Sequence, residues 1–245
     1  MDQIVRDRLA REIADFYEIQ GASFSSMRGR PWDLSNLVED RIKSGDFLVD
    51  VGAGNARLLQ VLPQGVRYLG VEPSSTLRAE AAKSLANRTG AEVIPGSLPK
   101  LDLADGTADV AACLAVLQHV PSREGRTESV RELHRILKPG GVLVCTVWNL
   151  RARRFWSWLT FRSAWLRLTD IEGGEPGDLN YTWKATGQTE YRYVHAFTLR
   201  EFKDLFDPNL WTIERIGAND KQGWCPWFKG RRLAAIVTKK LETGK

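Results

Sequence analysis

Phe47-Leu48-Val49-Asp50-Val51-Gly52-Ala53-Gly54-Asn55 is an apolar run that ends in an acid and breaks at once into a glycine-spaced turn. An apolar run bounded by turn residues suits a strand buried on both faces of a parallel sheet. Gly52 and Gly54 lack Cβ atoms, so the backbone there can turn tightly and approach a ligand closely. Ala56 to Leu62 reads as the helix that this turn opens. The remaining chain is expected to pack around the turn or to cover what it holds.

Working outward, strands and helices alternate. Asp2 to Ile19 repeats apolar residues at helical spacing (Ile4, Val5, Leu9, Ile13, Phe16, Tyr17), which predicts a surface helix with one buried stripe. Phe24 to Trp32 reads as a loop, and Asp33 as the N-cap of a second helix through Ile42. Val66–Glu72 is a second strand that also ends in an acid, and Pro73-Ser74 opens a helix to about Arg88. Strands follow at Ala91–Ile94, Asp109–Leu114 and Val142–Trp148, with a helix from Glu124 to Leu137 that Lys138-Pro139-Gly140-Gly141 ends. Alternation of this kind predicts an α/β fold, a Rossmann-like doubly wound parallel sheet. It stops at Trp148. Residues 149–197 form an insertion rich in Trp and Arg, expected to be a lid, and two late strands, Trp211–Ile216 and Arg232–Thr238, read as an antiparallel hairpin. The expected organisation is a single domain over 1–245, with N-terminal helices in 1–44 and the inserted substrate segment in 149–197.

The bulk properties bound the function. The chain has 245 residues, 43% hydrophobic and 27% charged, with a net charge of +5 and a sequence pI near 9.2. A mild basic excess leans towards anionic partners without demanding one. Cys113, Cys145 and Cys225 form no C-x-x-C pair, so no zinc or redox motif is indicated, and no metal site is expected. The unpatterned cysteines fit a reducing cytosol, the charged N-terminus lacks a signal-peptide core, and no apolar run approaches the ~20 residues of a membrane span. The expectation is a cytoplasmic protein with no integral membrane segment.

The two strand-ending acids carry the chemistry. In doubly wound sheets, ligands bind beyond the carboxyl ends of the strands, where strand order reverses. Glu72 is placed to bond both hydroxyls of a ribose. A dinucleotide fingerprint would need a third glycine where Arg57 stands, and Asp50 would repel a phosphate. An acid beside the turn suits a cationic amino-acid nucleoside instead, namely S-adenosylmethionine (SAM), which carries an ammonium and a sulfonium.

Asp50-Val51-Gly52-Ala53-Gly54-Asn55, with Leu137-Lys138-Pro139-Gly140-Gly141, resembles the class I SAM-dependent methyltransferases over about Phe47 to Trp148. The resemblance implies a seven-stranded sheet whose last hairpin is antiparallel. It implies cofactor contacts from Asp50, Gly52, Gly54, Asn55, Glu72, Pro73, Ser97, Leu98, Leu114, Ala115 and His119, with Arg28 added from the N-terminal segment. Ser97-Leu98 stands where the family usually has an acid.

A narrower resemblance lies outside this core. Phe24-Ser25-Ser26-Met27-Arg28-Gly29-Arg30-Pro31-Trp32, Asp178–Lys184 and Arg192-Tyr193-Val194-His195-Ala196-Phe197 look like the F-S-x-T-R-x-K-P-W, D-x-x-x-P-W-x and R-Y-Y-H-x-F segments of the tRNA wobble-uridine methyltransferases. That family esterifies 5-carboxymethyluridine. Here Met27, Arg30 and Thr182 depart from its pattern. The resemblance implies tRNA as substrate and, as for eukaryotic relatives, a small zinc-binding activator protein. A carboxylate acceptor is already ionised at neutral pH and needs cations and donors rather than a base. Arg192, Tyr193, His195, Asn149, His119 and Asp178 are the candidates, with Arg28 close behind. A hydroxyl acceptor would need a base, His119 or His195. His195 could equally orient the lid, and Arg192 could be a surface charge. The stretch from Arg151 to Arg167, with five arginines and no acid, suits lid packing, nucleic-acid contact or a membrane surface. Two other functions fit the same sequence: a small-molecule O- or N-methyltransferase, and a non-catalytic RNA-binding module.

Overall fold

The computed structural model describes residues 1–28, 35–38, 41–86, 88–152, 171–183 and 189–241. The expectations for Gly29 to Asp33, for Lys184, and for all of the arginine-rich stretch beyond Ala152 lie outside these residues. Strand β1 (Phe47–Val51) runs parallel to β2 (Arg67–Val71) on one side and to β4 (Ala108–Leu114) on the other. With β3 (Ala91–Ile94), β5 (Leu137–Trp148), β8 (Trp211–Asp220), β9 (Gly223–Cys225) and β10 (Arg232–Lys239), the sheet has the order β3-β2-β1-β4-β5-β10-β8-β9. The switch point lies between β1 and β4, beyond the end of Asp50-Val51.

Side chains alternate across β1 as the pleat requires. Val49 and Val51 join the core on one face with Leu69, Ala111, Leu143 and Val147. Leu48 joins the opposite core with Tyr68, Val110, Val144 and Ile236. Cys113 and Cys145 are buried register partners on β4 and β5 and pack as small residues of the core. Helices cover both faces: α1 (Gln3–Ser26), α3 (Ser75–Leu85), α4 (Arg123–Ile136) and α5 (Leu199–Asp204), with a four-residue helix α2 (Ser35–Val38) before β1. Ser74 caps α3, its hydroxyl accepting from the Leu77 amide at 3.1 Å.

The structure departs from the sequence reading in five places. The sheet has eight strands, not seven. The expected late hairpin is a three-stranded antiparallel unit in the order β10-β8-β9, because β8 runs on to Asp220 and turns back through β9 before the chain crosses to β10. The segment after Gly54 is a 3-10 turn (Arg57–Val61) rather than an α-helix, entered through Ala56 in the left-handed region, φ 55°. Helix α1 extends to Ser26, so Phe24-Ser25-Ser26 is helical and not loop. Lys138–Gly141 lies inside the start of β5 where the β4–β5 register shifts, and α4 ends directly into that strand. Within the inserted segment, β6 (Asp178–Trp183) and β7 (Glu190–His195) pair as a separate antiparallel hairpin. No helix among the described residues is long and apolar enough to cross a membrane.

Candidate active site

A cavity of about 830 Å³ opens at the carboxyl ends of β1, β2 and β4, with α1 forming its other wall. The turn after β1 is its floor. Gly52 and Gly54 have φ of 74° and 57°. A Cβ on Gly52 would lie 2.3 Å from Val116, and one on Gly54 would meet nothing within 4 Å, because it would project into the open cavity. The Glu72 carboxylate accepts the Gly54 amide at 2.9 Å and the Ser74 amide at 3.0 Å, one bond per oxygen. An ionised carboxylate offers about four acceptor positions, so acceptor capacity remains on the cavity side. Burial raises the Glu72 carboxyl above its ordinary value, and the two amide bonds oppose this.

Asn55 closes the turn against α1. Its amide donates to Ser25 Oγ at 3.2 Å. Glu18 accepts from the Ser75 amide at 2.8 Å and from the Ser75 hydroxyl, fastening α1 to the start of α3. Pro73, Ser97, Leu98, Leu114, Ala115, Arg28 and His119 line the same cavity. Asp50 does not. It is 1% exposed and accepts the Tyr68 hydroxyl at 2.7 Å. Burial pushes its carboxyl up to about 7, and the Tyr68 hydrogen bond only partly offsets that. Arg57, at the third glycine position, lines the cavity beside Asp50 and Arg28, and burial lowers its pKa to about 10.

These residues fit SAM. The glycine floor leaves room that a side chain would fill, Glu72 can take ribose hydroxyls, and Leu98, Leu114 and Val116 supply apolar walls.

Beyond His119 lies a second, smaller cavity of about 350 Å³, lined by Arg28, Trp148, Tyr181, Trp183, Arg192 and their neighbours. Arg192 is 3% exposed. Its guanidinium lies 4.8 Å from the Trp148 ring centre and 5.1 Å from those of Phe16 and Trp183. Among the described residues no carboxylate pairs with it. Its Nη1 donates to the Tyr17 hydroxyl at 3.0 Å. His119 Nδ1 faces the Tyr193 carbonyl at 3.1 Å, an acceptor only, so Nδ1 carries the proton. His119 Nε2 therefore accepts from the Tyr17 hydroxyl at 3.0 Å. Burial, then the Arg192 charge, lowers His119 to about 3, which keeps it neutral.

Among the described residues, three donor atoms around this small cavity are buried without an acceptor: Arg28 Nη1, Trp183 Nε1 and Arg192 Nε. Buried donors are ordinarily paired, so three such groups in one place mark a site for an acceptor-rich ligand.

The other catalytic candidates lie elsewhere. Asp178 accepts from the Tyr193 hydroxyl and from His195 Nδ1, each at 2.7 Å. Arg126 Nη1 donates to the Tyr193 hydroxyl at 3.2 Å, and Arg126 pairs with Glu175 at 2.7 Å. Burial would raise Asp178, but the bonds from His195, the Glu175 amide and Tyr193 outweigh it and hold the carboxyl below its ordinary value. This network joins the β6–β7 hairpin to α4 and lines neither cavity. The Asn149 amide donates to the Trp227 and Gly230 carbonyls at 2.6 and 3.0 Å, which makes Asn149 a strut. Of the candidates from the R-Y-Y-H-like segment, Arg192 alone reaches a cavity. Tyr17 is the site residue that sequence reasoning missed. Its one visible sign was a polar tip inside the apolar stripe of α1.

Comparisons with known proteins agree. The methyltransferase domain family matches residues 49–145. A tRNA (carboxymethyluridine(34)-5-O)-methyltransferase of Arabidopsis thaliana is 29% identical over 132 residues, covering 54% of this chain and 31% of its own length. The chain thus spans about a third of that relative. A methyltransferase-named protein of Encephalitozoon cuniculi is 26% identical over 198 residues, 80% of this chain and 84% of its own. Among solved structures, a SAM-dependent methyltransferase of Methanosarcina mazei superposes with a TM-score of 0.66 at 24% identity, over 84% of this chain and 98% of its own. A methyltransferase solved in complex with the Trm112 methyltransferase activator, from Haloferax volcanii, superposes with a TM-score of 0.65 at 16% identity, over 95% of this chain and 100% of its own. At such identities the superpositions establish the fold. Strand order, glycine floor and superpositions agree on the fold of the class I SAM-dependent methyltransferases, and the domain match over residues 49–145 lies within that fold.

Proposed function

We propose that this protein methylates the carboxylate of a carboxymethyl group on a modified wobble uridine of tRNA. The observation that supports the reading is the small cavity whose three buried donors, Arg28 Nη1, Trp183 Nε1 and Arg192 Nε, have no acceptor among the described residues. A carboxylate supplies acceptors and negative charge together, and charge-assisted hydrogen bonds are the strong ones. Bound SAM supplies a methyl carbon already activated by a sulfonium. Glu72 and the glycine floor hold the cofactor half, while Arg192 and Arg28 hold the acceptor carboxylate beside it. Positioning of this kind can contribute roughly 7–11 kcal/mol to a barrier. A carboxylate has no proton to remove, which accords with a His119 that stays neutral and hydrogen-bonded at both nitrogens. Residues 149–197 serve as the acceptor-side cover in this reading, and a small activator protein is a proposed partner.

The test is transfer of a labelled methyl group from SAM to tRNA bearing 5-carboxymethyluridine, followed by mild alkali. A methyl ester is hydrolysed and releases its label. Alkali-stable label would mean methylation of nitrogen or carbon. Label absent from tRNA but present in small acids would favour a small-molecule methyltransferase.

A further inference from the structure

The eighth strand has a consequence at the rim of the cavities. Strand β9 turns the chain twice beside them, at 220–222 and again at 226–231. From Asn219 to Arg232 the sequence carries Lys221, Lys229, Arg231 and Arg232 against one acid, Asp220. Lys221, Arg231 and Arg232 line the large cavity, and Arg231 also lines the small one. Trp227 stands 50% exposed at the tip of the second turn. The turn is held firmly. The Lys229 amide bonds the Pro226 carbonyl at 2.9 Å, the Arg231 amide bonds Asn219 at 3.0 Å, and the Asn149 side chain grips the Trp227 and Gly230 carbonyls. A Cβ on Gly230 would lie 2.6 Å from the Ala218 Cβ, so this turn packs directly on β8.

A rigid rim with an exposed tryptophan among cations matches the two needs of a single nucleic-acid strand, a face on which a base can stack and charge that follows phosphates. We propose that the 220–232 rim is the docking platform for the unpaired RNA nucleotides flanking the acceptor base. Trp227 stacks on one of these bases and Lys229 contacts a phosphate. Asn149 is then a positioning residue for RNA. The inference rests on the tRNA reading above and adds to it where the strand runs. An anionic membrane surface is the competing occupant. The rim favours RNA because its cations continue into the two cavities, where an acceptor base must enter.

The experiment measures binding of an unmodified tRNA transcript to the full chain across a salt series. Trp227→Ala is expected to weaken binding roughly 5- to 100-fold, the range for loss of one base–aromatic stack, with Trp227→Phe retaining most of the affinity. Lys229→Ala is expected to lower the log–log salt slope by about 0.7, one phosphate on a single strand. Both variants should bind SAM in calorimetry as the unaltered protein does, showing that the fold is kept. If the unaltered protein binds tRNA and both variants match it in affinity and slope, the platform is overturned and the tRNA reading stands. If the unaltered protein fails to bind tRNA at all, both fall. Binding to vesicles of phosphatidylserine and phosphatidylcholine that is lost in these variants, with tRNA binding unchanged, would overturn the platform in favour of a lipid surface.

Discussion

The two halves of the site are built on opposite principles. The cofactor half is satisfied by its own chain: both Glu72 oxygens accept backbone amides, Asp50 accepts Tyr68, and Asn55 is tied to Ser25. The acceptor half is not. Among the described residues no carboxylate lies between Arg28 and Arg192, and three donors lack partners. Burying a charge without a counter-charge is costly, and the rings of Phe16, Trp148 and Trp183 around Arg192 offset only part of that cost. In the proposed reading the cofactor half is a preformed cradle, and the acceptor half is completed by its ligand.

Removing the central cation of the acceptor half gives the largest expected effect. Arg192→Met should lower kcat/KM for the carboxylate acceptor by about 100-fold or more, in line with charged hydrogen bonds worth roughly 1.5–3 kcal/mol and the loss of electrostatic positioning. SAM affinity should stay unchanged, and the melting temperature of the ligand-free protein should not fall. A variant that loses SAM binding or stability as well would erase the distinction between the halves. Glu72→Ala attacks the other half. It should weaken SAM binding about 10- to 100-fold in calorimetry while leaving tRNA affinity as it was.

The third expected effect is on stability. Asp50 rises from 3.8 to about 7 in the fold. Below about pH 4 the carboxyl is protonated in both folded and unfolded states and contributes no difference. Between pH 4 and 7 the unfolded chain ionises while the native state holds its proton, so stability falls as pH rises. Above pH 7 the native carboxyl ionises too, and the penalty is full and constant. Asp50→Asn keeps an acceptor for Tyr68 and removes this charge. It should be more stable than the unaltered protein at pH 8, by on the order of 2 kcal/mol from the 1.36 kcal/mol per tenfold of proton affinity, discounted for relaxation around a buried charge. The gap should close towards pH 4 in denaturant titrations, and a gap independent of pH would show that Asp50 is ordinary in its ionisation.

The same contrast explains what could be read from the sequence. The cofactor half is local: Asp50, Gly52, Gly54 and Glu72 fall between β1 and the end of β2, and steric need at the glycines and charge at the acids fix their types. The parallel, doubly wound character of the sheet followed from alternation alone. The acceptor half gathers Tyr17 from α1, Arg28 from just beyond its end, His119 from the 3-10 turn after β4, Trp148 from β5 and Arg192 from β7, and no spacing rule connects them. Tyr17 looked like one more apolar position, because helical periodicity reports burial and not the partner of a hydroxyl. Tyr193, His195 and Asp178 carry the right chemistry in the right order, yet strand alternation turns them from Arg192 or ties them to α4 through Arg126. The eighth strand was hidden because Gly223-Trp224-Cys225 is too short to show alternation.

The smallest expected effect is the absence of one, and it bears hardest on the acceptor. His119 sits where a general base would, but burial holds it near 3, its Nδ1 proton faces Tyr193, and its Nε2 lone pair takes the Tyr17 hydroxyl. His195, also lowered by burial despite its bond to Asp178, is sequestered behind β7. A carboxylate acceptor is fully ionised above pH 6, so at saturating SAM kcat/KM should vary less than about twofold from pH 6 to 8.5. A hydroxyl or amine acceptor would instead show activity rising with pH through the pKa of a base. Asp50 titrates near 7 and could superimpose its own inflection through the cofactor half. Measuring the profile in Asp50→Asn separates the two. An inflection that vanishes in that variant belongs to the cradle, whereas one that survives it and disappears in His119→Gln would identify a working base. That second result would end the carboxylate reading, because a group whose lone pair the acceptor chemistry does not need would then be setting the rate.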